Sequence, residues 1–342
     1  MDAPGTTETP HDVDAETIRV QAEEHPLIED TPPASAADHC LRLMHLRAYD
    51  EAVAHAPGCD VLDVGCNTGY GTVRFAPVAA RVVGVDVSPG AIEAARQRAS
   101  DGRPEFVLTS GFELPFPGDS FDLVTSFQVL EHVPDPLAFL REIAHVARPG
   151  GTVILATPNA AIRLDPGMTP WNRFHVHEYL ATELRDLLGQ VFPEVTILGM
   201  FGTPTLYETE IRRVDAARQR IRRKNEAGAR QAAARIAATR PAASKPVRAN
   251  RPLAIRVARR LLPSSARAWL RSMVVPVTKP AARPELTPAA TQTPSPTDGS
   301  PSMDLESFLR FSVADLFYAD TDLDRAMDLL AICRLEAPPA DG

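Results

Sequence analysis

The chain is poor in aromatic residues, which make up 6% of its 342 positions, with two Trp and five Tyr. Its four cysteines, Cys40, Cys59, Cys66 and Cys333, form no CxxC pair and no metal-ligand spacing. They read as reduced thiols, which excludes a disulfide-stapled scaffold and a cysteine zinc site. No run of about 18 apolar residues occurs, so no transmembrane helix is expected. The N-terminus lacks a basic stretch followed by an apolar one, and a cytoplasmic protein is expected rather than a secreted one. The dinucleotide fingerprint Gly-x-Gly-x-x-Gly is also missing, although glycines cluster early in the chain.

That cluster is Val61-Leu62-Asp63-Val64-Gly65-Cys66-Asn67-Thr68-Gly69-Tyr70-Gly71. Its first four residues read as a buried parallel strand, and the glycines as a turn whose N–H groups surround a ligand at the top of a sheet. A second strand, Arg81-Val82-Val83-Gly84-Val85-Asp86, ends in an acid about 20 residues on, where a carboxylate meets ribose hydroxyls. A nucleoside-containing cofactor follows from that pair. Asp63, just before the first glycine, would repel a pyrophosphate and suits a sulfonium or ammonium group instead.

This segment resembles motif I of the class I S-adenosylmethionine (SAM)-dependent methyltransferases, whose usual form is Val-Leu-Asp-x-Gly-Cys-Gly-Thr-Gly. Asn67 stands where the family usually has Gly, and Asn tolerates positive φ. More of the family's order follows: Pro104–Leu108 as a third strand, Leu114-Pro115-Phe116 and Ser120–Ser126 into the fourth, then Val129-Leu130-Glu131-His132-Val133-Pro134-Asp135-Pro136. A helix through Phe139, Leu140, Ile143 and Val146, the turn Arg148-Pro149-Gly150-Gly151 and a fifth strand, Thr152–Asn159, complete it. The match covers roughly residues 37–202. It implies an α/β, three-layer, doubly wound Rossmann-like sheet of seven strands, six parallel and the seventh antiparallel. It also implies SAM as cofactor, with Asp63, Gly65, Cys66, Asn67, Gly69, Asp86, Val87, Ser110, Gly111, Phe112, Gln128 and Tyr49 as cofactor-binding candidates. Ser110 aligns where the family commonly has an acid for the adenine amino group, and Phe112 is placed to flank the ring. A helix from about Ala37 to Ala56 is expected to close over the cofactor, with Arg47 and Tyr49 as the residues to watch.

Net charge is −8, but the charge is uneven. Residues 205–285 hold 20 Lys/Arg against 5 Asp/Glu, leaving 16 basic and 39 acidic residues elsewhere. Residues 1–36 read as an acidic disordered tail. Residues 37–202 with 303–336 form the methyltransferase domain, and 203–302 a basic helical insertion between strand six (195–202) and strand seven (327–334). Within the insertion, Glu208–Lys224 and Glu226–Thr239 read as two helices. Leu253, Val257, Leu261, Trp269, Leu270 and Met273 form apolar stripes among arginines over 251–275. Such a segment covers its own acidic body as a lid or lies on an anionic membrane, which would make the protein peripheral to the inner face. Nucleic acid is not expected, with Trp269 the segment's single aromatic for base stacking. Residues 280–302 read as a flexible linker.

Methyl transfer from a sulfonium needs alignment and, for an alcohol acceptor, a base. The candidates at the carboxyl ends of strands four and five are Glu131 and His132, then His175, His177 and Glu178; the base is His132, or one of His175 and His177, with the absence of a dedicated base as the third alternative. His175-x-His177-Glu178 places both imidazoles on one side of an extended segment, but no partner cluster accompanies them, and no metal is expected. The family resemblance extends to methyltransferases of glycan and cell-envelope contexts and implies a small-molecule or oligosaccharide acceptor. The alternatives are a natural-product or quinone acceptor, or a SAM-binding scaffold without catalysis. Oligomeric state is not readable.

Overall fold

Hydrophobic strands separated by glycine turns and capped amphipathic helices give an alternating α/β chain in the computed structural model. It describes residues 31–99, 102–111, 113–239 and 304–337. The elements in chain order are α1 (Ala36–Val53), β1 (Asp60–Val64), β2 (Arg81–Asp86), α2 (Pro89–Arg98), β3 (Glu105–Leu108), β4 (Phe121–Phe127), α3 (Pro136–Val146) and β5 (Ala147–Pro158). After them come α4 (Ala160–Arg163), α5 (Ala181–Leu188), β6 (Glu194–Gly202), α6 (Pro204–Thr239), α7 (Leu305–Phe308), β7 (Leu316–Ala319) and β8 (Asp328–Arg334). Helix starts are set locally. Ser88 and Asp135 cap α2 and α3 by accepting from Ala91 N and Ala138 N, each with proline at the first helical position.

The eight strands form one sheet in the order β3-β2-β1-β4-β5-β8-β6-β7. Pairs β1–β2, β2–β3, β1–β4 and β4–β5 are parallel, while β8 runs antiparallel to both β5 and β6. Strands β1 to β6 therefore point one way. The sheet has one strand more than the seven expected, because Leu316–Ala319 pairs antiparallel with β6 at the edge. Four residues between two short turns are too few to carry a readable alternation, so β7 is decided by pairing with β6.

Side-chain alternation along the strands divides the core between the two faces. Leu62 and Val64 of β1 pack with Leu140, Ile143 and Val146 of α3 and Leu184 and Leu188 of α5. Val61 faces the opposite side, with Ala48, Tyr49 and Ala52 of α1. A third cluster joins Cys40, Leu43 and Met44 of α1 to Leu206, Phe308, Leu316 and Met327. This is the three-layer arrangement the sequence implies.

The first helix runs from Ala36 to Val53, close to the expected 37–56. The two helices read from the basic region are one, Pro204–Thr239: Asn225 separates two charge patterns but not two helices. The chain divides into two compact units, 1–224 with 303–342 and 225–302, where the sequence suggested a boundary at 203. Residues 1–30, Phe112, the 251–275 stripes and the 280–302 linker lie outside the described residues. Among the described residues, no helix is long and apolar enough to cross a membrane.

Candidate active site

Between β1 and β4 the chain order reverses: β2 and β3 lie to one side of β1, and the chain then returns to place β4 on the other. Ligands of doubly wound sheets bind outside the carboxyl ends of the strands at such a point. A cleft of about 200 Å³ opens there, walled by Val64, Gly65 and Asn67 after β1, Asp86, Val87 and Ser88 after β2, and Thr109 and Gly111 after β3. Gln128, Val129, His132, Val133 and Pro134 after β4 close its other side, together with Leu114, Phe139, Glu142 and Phe174.

The glycine turn holds three positive φ angles, at Gly65 (80°), Asn67 (48°) and Gly69 (71°). Asn67 thus takes the conformation its side chain tolerates, and its Oδ1 accepts from Thr68 N at 2.8 Å. A Cβ on Gly65 would lie 2.3 Å from Val129 Cγ2, so only glycine lets the turn pass under the β4 wall. Asp86 spans two loops: Oδ2 accepts from Asn67 N (2.9 Å) and Oδ1 from Ser88 N (2.9 Å). These bonds hold its carboxylate at the cleft wall. An acid there, backbone amides of the turn and the apolar walls of Val87, Leu114 and Val129 fit the ribose, polar and adenine parts of SAM.

Of the predicted cofactor residues, Gly65, Asn67, Asp86, Val87, Gly111 and Gln128 line the cleft. Five others do not. Asp63 lies fully buried beneath the turn and accepts from Thr72 Oγ1 (2.6 Å), Thr125 Oγ1 (2.9 Å) and the Tyr49 hydroxyl (3.1 Å). The expectation that Asp63 faces a cationic group, and that Tyr49 closes over the cofactor, is corrected accordingly: the two bond each other inside the core. Burial pushes the Asp63 carboxyl up to about 6, against the downward pull of its hydroxyl donors. Cys66 packs with Ile92, Ala95 and Phe106, and Gly69 backs onto the Phe106 ring. Ser110 is exposed and does not line the cleft.

Among the catalytic candidates, His132 lines the cleft and Glu131, His175, His177 and Glu178 do not. His132 Nδ1 is 2.9 Å from Phe174 O, and its ring meets that of His175 edge-on at 4.8 Å. Glu131 turns inward. Oε2 accepts from Thr157 Oγ1 (3.0 Å), and burial pushes the carboxyl up to about 8. Its backbone carbonyl accepts from Val176 N (2.7 Å) and His177 N (3.2 Å), which docks the 170–179 loop onto the turn after β4. His175 and His177 do not share a side, contrary to the expectation from an extended segment. Val176 N and His177 N both donate to the one carbonyl of Glu131, so the backbone between the two histidines is bent rather than extended. His175 is nearly buried, with Nδ1 2.7 Å from Glu178 Oε1, whereas His177 is exposed and lies 3.6 Å from Glu183.

Glu178 and Gln128 stand out in the sequence without their partners, whereas Arg163, Asp328 and Glu142 do not stand out. Glu178, paired bidentately with Arg163 (2.9 and 3.0 Å), is pushed up by burial but held below its usual range by hydrogen bonds from His175 and Arg163. Gln128 has φ 57°, a costly conformation for its type, and donates Nε2 to Asp328 Oδ2 at 2.7 Å. Asp328 opens β8, 200 residues downstream, and no local pattern links the two. Glu142 accepts from Leu114 N at 2.8 Å while lining the cleft. Its spacing from Phe139 on α3, three residues, is the one local signal that placed it.

Residues 62–155 match the family model described as "Methyltransferase domain". A probable S-adenosylmethionine-dependent methyltransferase of Mycolicibacterium smegmatis is 38% identical over 186 residues, which are 54% of this chain and 71% of that protein. One from Mycobacterium tuberculosis is 38% identical over 170 residues, 49% of this chain and 61% of the relative. A ubiquinone biosynthesis O-methyltransferase of Xanthomonas campestris is 40% identical over 117 residues, 32% and 48% of the two chains. With the glycine turn, Asp86 and the cleft at the point where strand order reverses, these similarities establish that the chain belongs to the SAM-dependent methyltransferases.

Proposed function

We propose that the protein methylates a hydroxyl, and that the acceptor is a saccharide or a glycosylated small molecule. The observation that carries the reading is that His132 and Asp86 line the same cleft, so a proton acceptor and the ribose-binding acid share one space. When bound, SAM supplies an electrophilic methyl group on a sulfonium. The chain's part is to hold and to orient: Asp86 and the turn after β1 hold the nucleoside end, with Val87, Leu114 and Val129 as apolar walls. His132, whose Nδ1 is engaged by Phe174 O, is the base candidate that lines the cleft for removing the acceptor proton. Polar groups support a polyhydroxylated acceptor. Gln128 also lines a smaller adjoining cavity with His45, Arg163, Glu210, Arg213 and Asp328, a set rich in donors and acceptors.

A quinone-like acceptor is the second reading. The similarity to a protein named for ubiquinone biosynthesis favours it, as do the apolar walls of Val133, Phe139 and Phe174. Purified protein incubated with methyl-labelled SAM and parallel panels of oligosaccharides and hydroquinones separates the two. Labelled glycan alone supports the first reading, and labelled hydroquinone alone replaces it. The expected variant behaviour is loss of S-adenosylhomocysteine (SAH) binding in Asp86→Ala, and retained binding with a turnover loss of about 100-fold or more in His132→Ala. Unchanged turnover in His132→Ala removes its assignment as the base.

A further inference from the structure

Where the turn after β4 meets the 170–179 loop, three potential ligands converge. Glu131, His132 and His175 each offer one donor atom, and these atoms all lie within 4.8 Å of one another. Bonds of about 2.1 Å to a first-row dication put tetrahedral ligand atoms about 3.4 Å apart, so modest side-chain rotations close the set. The two imidazoles are already oriented from behind. His132 Nδ1 faces the Phe174 carbonyl at 2.9 Å, and His175 Nδ1 faces Glu178 at 2.7 Å, with Glu178 fixed by Arg163. An acceptor at each Nδ1 keeps the proton there and makes Nε2 the basic nitrogen. A metal-ligating histidine is held in this way, by a carboxylate or a backbone carbonyl on its second nitrogen. The third observation is Glu131 Oε1, a buried carboxyl oxygen with no hydrogen-bond partner, in a residue only 1% exposed. Burial without a partner is costly, and a cation removes that cost.

We propose that Glu131, His132 and His175 form a binding site for a first-row divalent cation, with Glu178 as the positioning residue for His175. Two imidazoles and one carboxylate suit Zn²⁺ and its neighbours rather than Mg²⁺ or Ca²⁺, which take oxygen sets. Three protein ligands leave a coordination position open. Because His132 also lines the cleft, that position is within reach of an acceptor hydroxyl. With a cation bound, His132 would serve as its ligand and no longer as the base, and the cation would acidify the hydroxyl instead: the O–H bond would break, its electron pair stay on oxygen and the proton pass to solvent. This last role rests on the hydroxyl-methylation reading, whereas cation binding stands without it.

The test titrates full-length, chelator-stripped protein with Co²⁺, followed by visible absorption and calorimetry, with SAH binding measured on the same samples. One Co²⁺ per chain with d–d bands is expected. The bands should vanish in Glu131→Gln and in His175→Gln, and the Co²⁺ Kd should rise about 10- to 100-fold in Glu178→Gln, while each variant still binds SAH. Wild-type protein that binds SAH but takes up no Co²⁺ below millimolar concentration overturns the site, and so do unchanged bands in His175→Gln. Co²⁺ binding without SAH binding upholds the site and counts against the methyltransferase reading instead.

Discussion

Asp63 has no exposed surface, yet three hydroxyls donate to its carboxylate, and burial outweighs them to push its pKa to about 6 from 3.8. The folded chain therefore binds this proton more tightly than the unfolded one. The contribution of Asp63 to stability is fully present below about pH 4, declines as pH rises through 6, and is then level. Roughly two pKa units correspond to on the order of 3 kcal/mol. Asp63→Asn stays neutral throughout, so the stability advantage of the wild type over this variant is expected to shrink by about that amount between pH 4 and 7. Denaturant melts at both pH values check it, and a gap independent of pH would return Asp63 to an ordinary carboxyl. Asp63 and Tyr49 also mark a limit of reading by residue. Motif I signalled an acid in the right place, but which way that acid points is fixed by Thr72, Thr125 and the helix carrying Tyr49. Gly65 and Asn67 were more legible, because a positive φ narrows the choice of residue before any neighbour acts.

β8 and β7 differ in position more than in composition. β8 sits between β5 and β6, with Leu329, Ala331 and Cys333 buried toward one face and Leu330 toward the other. Ala331→Asp would place an unpartnered charge in that core, and a loss of several kcal/mol is expected, read as a large drop in the chemical-denaturation midpoint or in soluble yield. β7 is the sheet edge, and Phe317 is 53% exposed, stacked on Phe201 at 5.9 Å. Phe317→Ser is expected to cost no more than about 1 kcal/mol in the same measurement. Equal effects of the two substitutions would contradict the strand order. The apolar run Leu329–Cys333 announced β8 as a strand, but its place inside the sheet rather than at the rim came from pairing with two strands distant in sequence. The 170–179 loop shows the same division: its histidines are plain in the sequence, while their divergence depends on docking of Val176 and His177 against Glu131.

Among the described residues, every buried cluster of the core is drawn from residues at or before 217 or at or after 308. The cooperative core of the described residues therefore belongs to the unit 1–224 with 303–342. Replacing 226–302 with a Gly/Ser linker of about 20 residues is expected to leave a single melting transition and SAH affinity within about threefold. Loss of either would show that the basic segment completes the fold or the cofactor site.

The amino-acid sequence by itself determined the parallel strands, the glycine turn, the second acid at Asp86 and the family, because these depend on local backbone limits and short-range periodicity. The tertiary structure alone decided that Asp63 is internal, that Gln128 meets Asp328, and that Glu131, His132 and His175 come together with Glu178 behind them. Each of these contacts joins segments separated by loops, and a hydrogen bond between distant segments forms only after the intervening chain has been closed by packing of the sheet and helices.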